Sequence, residues 1–68
     1  MKATNNAMKW IKVTEKLPNI GQQVLICDNG GMIFLAELTN NGTAWMGDWF
    51  MFPTDRVSHW MPIYKPNL

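Results

Sequence analysis

Two Asn-Gly steps, Asn29-Gly30 and Asn41-Gly42, cut the middle of this chain into apolar runs too short to stand as helices. A tight two-residue hairpin needs positive φ at both central positions, which Asn and Gly tolerate, so each step predicts a reversal between antiparallel strands. The run before the first step, Val24-Leu25-Ile26-Cys27, is β-branched enough to favour a strand at this length. A strand over 22–27 therefore pairs with one over 32–39, whose Glu37 and Thr39 share a side and mark its more exposed end. The second step feeds a strand over 44–52. Period two places Trp45, Gly47, Trp49 and Met51 on one of its faces, and Ala44, Met46, Asp48, Phe50 and Phe52 on the other. Pro53 to Arg56 is a turn, and Val57 to Met61 is a last strand stopped by Pro62. Towards the start, Trp10-Ile11-Lys12-Val13 alternates as a first strand, with Trp10 and Lys12 opposite Ile11 and Val13. Thr14 to Gly21, broken by Pro18, is a loop or a single helical turn. The predicted class is all-β: a five-stranded antiparallel meander or half-barrel over 10–64, with tails at 1–9 and 65–68.

A chain of 68 residues buries only about 60% of the surface its unfolded form exposes, so its margin of stability is thin. Cys27 is the only cysteine and cannot staple the fold from within. Four tryptophans, three phenylalanines and Tyr64, or self-association, must supply the stability instead. The net charge is +1 and Arg56 is the only arginine, which argues against a duplex-binding surface. Lys2 is followed by Ala3-Thr4-Asn5-Asn6-Ala7 rather than an apolar export segment, and no run approaches the roughly 20 apolar residues of a membrane helix. With the unpaired cysteine, these features predict a cytoplasmic protein.

Material for chemistry is sparse. His59 is the only histidine, and alternation turns it away from Trp60, towards a structural or partner-contacting role. Cys27 as a nucleophile would need His59 as its base, and the simpler reading is a small buried hydrophobe on a core strand. Cys27, Asp28, Asp48 and His59 lack the paired short spacings of a zinc site. Glu15, Glu37 and Asp55 show no paired-carboxylate spacing, and Gly30-Gly31 lacks the strand-to-helix setting of a phosphate loop. The residues thus predict no catalytic set, no metal and no cofactor.

Three segments carry a resemblance: Trp10-Ile11-x-Val13, Leu17-Pro18-x-x-Gly21-x-x-Val24-Leu25, and Val57-Ser58-His59-Trp60-Met61-Pro62. Together they resemble the framework of the domain of unknown function 551 family, over about residues 10 to 62. The family's usual ending has Thr and Leu where this chain has Ser58 and Ile63. The resemblance implies a small accessory protein of the kind carried by tailed phages, prophages and enteric bacteria. It implies no catalytic residue, because the family has none assigned.

The aromatic surplus without catalytic equipment predicts a protein-binding module, such as an inhibitor or modulator of a host or phage protein. Its contact residues are expected to be Trp45, Asp48, Trp49, His59 and Trp60, with a homodimer as a second use of the surplus. The alternative is a single-stranded nucleic-acid binder built on a small barrel with stacked aromatics, against which the weak basicity counts.

Overall fold

A computed structural model describes residues 9–63, which form one open antiparallel sheet of six strands. In chain order these are β1 (Ile11–Lys12), β2 (Gln23–Asp28), β3 (Ile33–Thr39), β4 (Ala44–Met46), β5 (Met51–Pro53) and β6 (Val57–Pro62). Their order across the sheet is β1-β6-β2-β3-β4-β5. The all-β antiparallel prediction holds. Two details differ from it: the 44–52 segment is a hairpin rather than one strand, and β6 returns to lie between β1 and β2 instead of extending a meander. The parts of the two tails outside residues 9–63 lie beyond what is described.

Register assigns each side chain to a face. Val24, Ile26, Ala36, Leu38, Trp45 and Trp60 point inward and are buried, with Ile11, Val13, Phe34, Phe50 and Phe52 packed against them. A single sheet can bury so much on one side only if it curls, bringing Trp60 of β6 and Trp45 of β4 into one cluster. The segment between β1 and β2 closes the end of that concavity. Pro18 within it is buried, the Gly21 N–H donates to the Leu38 carbonyl at 3.0 Å, and Trp60 Nε1 donates to the Lys16 carbonyl at 2.8 Å. This segment turns through N–H donation from Glu15 and Lys16 to the Lys12 carbonyl and forms no helix. A 3₁₀ turn falls elsewhere, at Thr54–Arg56, while Asn40–Gly42 turns in left-handed backbone.

Each turn has its own chemistry. The first hairpin does not use the two-residue geometry that Asn29-Gly30 suggests: of its loop residues only Gly31 has positive φ, at 90°. Asp28 decides this, because its Oδ1 accepts the N–H of Gly30 and of Met32, both at 2.9 Å, and so organises a three-residue loop closed by Gly31. At the second turn Asn40, Asn41 and Gly42 all have positive φ, the service for which the Asn-Asn-Gly sequence is suited.

In β6, Cys27 faces His59 while Asp28 faces Val57, so Ser58 is an extra, bulged residue. Strict alternation from the inward Trp60 would turn Val57 outward. The bulge shifts the phase by one residue, and both Val57 and Trp60 reach the core. Ser58 Oγ donates to the Cys27 carbonyl at 3.2 Å and fastens the irregularity.

Candidate functional site

The predicted contact residues separate into three environments. Trp45 is 0% exposed and Trp60 only 4%, so both belong to the core and neither presents a surface to a partner. They fill the concavity together with Ile26, Leu38 and the three phenylalanines. Trp60 satisfies its indole N–H at Lys16, whereas Trp45 Nε1 is buried with no hydrogen-bond partner among the described residues.

Asp48 and Trp49 occupy the tip of the β4–β5 hairpin, and Trp49 is 94% exposed. The tip is anchored on both sides. Gly47 N–H donates to the Phe50 carbonyl at 3.0 Å, and the Phe50 ring stacks on Phe52 with centroids 4.5 Å apart and tilts against Phe34 at 5.0 Å. Phe34 and Phe52 meet edge-on at 5.4 Å, and the Arg56 guanidinium lies 4.9 Å from the centroid of Phe52. Gly47 is required by this packing: a Cβ there would collide with Cε2 and Cζ of Phe50. The expected single strand over 44–52 set Gly47 on one face with Trp45 and Trp49. Those two side chains in fact sit at opposite extremes of burial, since the chain reverses between them.

His59 lies on the outer face, half-buried, as expected from its opposition to Trp60. Its Nδ1 is 2.9 Å from Ser58 Oγ. β6 and β5 are separated by β2, β3 and β4, so four strand spacings, roughly 19 Å, divide His59 from the hairpin tip. The expected five residues therefore do not form one site.

Cys27 is the larger surprise. It was expected inside a core strand, yet it stands half-buried on the outer face, directly opposite His59 across β2 and β6. With Trp10 and Ile33 these two line an apolar hollow of about 190 Å³. The thiol donates to the Asp28 carbonyl at 3.6 Å. Of the continuous apolar run Val24–Cys27, only Val24 and Ile26 enter the core. The rest of the outer face carries Leu25, Leu35, Met46 and Met51, so the hollow is part of a broad apolar surface. No group of three or more His, Cys, Asp or Glu side chains among the described residues is arranged to hold a metal ion. No helix among them is long and apolar enough to cross a membrane.

The segments that carry the family resemblance are neighbours in space. β1 pairs with β6, and the Leu17–Gly21 stretch lies against Trp60 and Pro62. The sequence model of a family described as "Protein of unknown function (DUF551)" matches residues 9–67. The chain belongs to the DUF551 family. No curated protein and no solved structure matches it. Within the DUF551 framework of this chain, Trp10 and His59 line the outer hollow, Ile11, Val13 and Trp60 face the core, and Gly21 takes a φ of 85° to hydrogen-bond with β3.

Proposed function

We propose that this protein is a non-catalytic protein-binding module, a small phage-type accessory protein that engages a host protein in the host cytoplasm through its β4–β5 hairpin tip. The observation that carries this reading is Trp49, an indole almost wholly in water on a tip held rigid from beneath by the Phe34–Phe50–Phe52 cluster. An exposed tryptophan on a pre-ordered turn loses little entropy on binding and buries a large area, which is why tryptophan is enriched at binding hot spots. Asp48 beside it adds a charged group that can fix orientation. Met51, exposed at the start of β5, extends the apolar contact.

Affinity capture from a bacterial lysate with the wild-type protein and with Trp49→Ala tests this. A stoichiometric protein retained by the wild type and lost with Trp49→Ala is the expected result. Equal retention by both would refute the hairpin tip as the contact.

A further inference from the structure

The geometry points to a two-fold homodimer formed through the outer face of the sheet, with half-buried Leu25 near its centre and Lys12 of each copy opposite Glu37 of the other. This inference does not rest on the hairpin-tip reading, but the two surfaces adjoin, because Asp48 lines one hollow with Leu35, Glu37 and Met46.

The register defines the face as a grid. One row across the strands reads Lys12, His59, Cys27, Ile33, and the next reads Met61, Leu25, Leu35. Glu37 follows one row further along β3, opposite Met46. The two charged groups, Lys12 and Glu37, are therefore three strand spacings apart in one direction and four residues apart in the other. Measured along the curled sheet each offset is about 14 Å, which puts them at opposite corners of the patch. The midpoint of that diagonal falls between Met61 and Leu25.

A two-fold axis lying in the interface through this midpoint, perpendicular to the diagonal, exchanges the two corners. Lys12 of each copy then meets Glu37 of its mate, twice per dimer. Because the offsets are equal, the axis runs at about 45° to the strands, and the two sheets cross near 90°, one of the two standard ways in which sheets stack. The same operation makes two further matches that were not used to choose it. Ile33 comes to rest against its own counterpart. Leu35, 46% exposed, is carried over the gap between Cys27 and His59, onto the 190 Å³ apolar hollow that those residues line with Trp10 and Ile33. A leucine side chain is the right chemistry for that hollow, and its own face supplies it.

Area supports a second copy as the occupant. Taking about 200 Å² for each free side chain, the exposed fractions of Trp10, Ile33, Leu35, Met46 and Met51 leave roughly 500 Å² of apolar surface on one face, near the upper end of the largest patch on a typical monomer. With half-buried Leu25, Cys27 and His59 added, two copies would bury at most roughly 1,300 Å², at the lower end of the range of stable specific interfaces.

Sedimentation velocity over a range of concentrations, on the full-length chain, tests the proposal. The wild type should sediment as a dimer, and Leu35→Glu should be monomeric with an unchanged far-ultraviolet spectrum, because the site is already open to water in a single copy. Lys12→Glu and Glu37→Lys should each weaken the dimer at least about tenfold by setting like charges together. The double variant Lys12→Glu/Glu37→Lys should recover to within about threefold of the wild type, since the exchange regenerates both ion pairs. A wild type monomeric throughout, an oligomer indifferent to Leu35→Glu, or a double variant no better than the singles would each overturn it. Because Trp49→Ala should leave the mass unchanged, loss of partner capture and loss of the dimer are read separately.

Discussion

Trp45 and Trp60 present the same side chain in nearly the same degree of burial, 0% and 4% exposed, but among the described residues only Trp60 has a partner for its indole N–H. Replacing each by phenylalanine should therefore separate the polar contribution from the apolar one. The apolar loss is common to both: roughly 50 Å² of burial and a residual cavity of some 40 Å³ come to about 2 kcal/mol. Trp60→Phe additionally loses the hydrogen bond to the Lys16 carbonyl, worth about 1 kcal/mol. Trp45→Phe instead removes a buried donor that has paid its desolvation without return, recovering about 1–3 kcal/mol. The expected outcome is a Trp45→Phe variant within about 1 kcal/mol of the wild type and a Trp60→Phe variant about 3 kcal/mol less stable. Against a total stability on the order of 3–10 kcal/mol for a chain this short, that gap is large, corresponding to about 8–16 °C in Tm. Urea unfolding of the two variants, monitored by far-ultraviolet circular dichroism at one protein concentration, measures it. A midpoint for Trp45→Phe at or below that of Trp60→Phe would refute the reasoning.

Asp28→Ala should destabilise by about 1–2 kcal/mol, since two loop N–H groups lose their acceptor, while Asp28→Asn, which keeps an oxygen at that position, should cost less than half as much in the same urea experiment. Gly47→Ala should cost about 1–3 kcal/mol, because the new methyl drives the Phe50 ring off Phe52, and the shifted aromatic proton resonances of Phe50 will show it. Trp49→Ala, by contrast, should leave the unfolding midpoint within about 0.5 kcal/mol of the wild type, as an exposed tip residue makes no core contact. Filter binding of single-stranded DNA at low salt should show no retention, given a net charge of +1.

Local alternation was legible wherever one face is buried and the strand is straight. It separates Trp10 and Lys12 from Ile11 and Val13, and His59 from Trp60, as found. The 44–52 segment was not legible because its turn lacks the usual signal. Asp48 and Trp49 reverse the chain without positive φ, inside a stretch whose aromatics look like an uninterrupted strand. Period two then assigned Trp45 and Trp49 to one face, and the error passed directly into the expected contact set. The position of β6 beside β2 was equally hidden, for alternation reports which face a residue takes and says nothing of which distant strand lies next to it. The Ser58 bulge obscured a further point: Val57 and Trp60 are three apart, a spacing that would set them on opposite faces of a regular strand.

Placing β6 between β1 and β2 also fixes when the domain can be finished. Ile11 waits for Trp60, so almost the whole chain separates the two partners of the β1–β6 ladder. As the protein is synthesised, β2 to β5 can zip through short hairpins, but β1 has nothing to hold until the last strand leaves the ribosome. The closing of β6 into its slot is thus the step that carries the entropy of the long loop, and it should limit the folding rate. Before that step, β2 offers a bare edge on one side and a cavity where Trp60 belongs. A β6 strand from a neighbouring nascent chain fits both as well as its own, making exchange of this final strand the characteristic misassembly of a crowded synthesis.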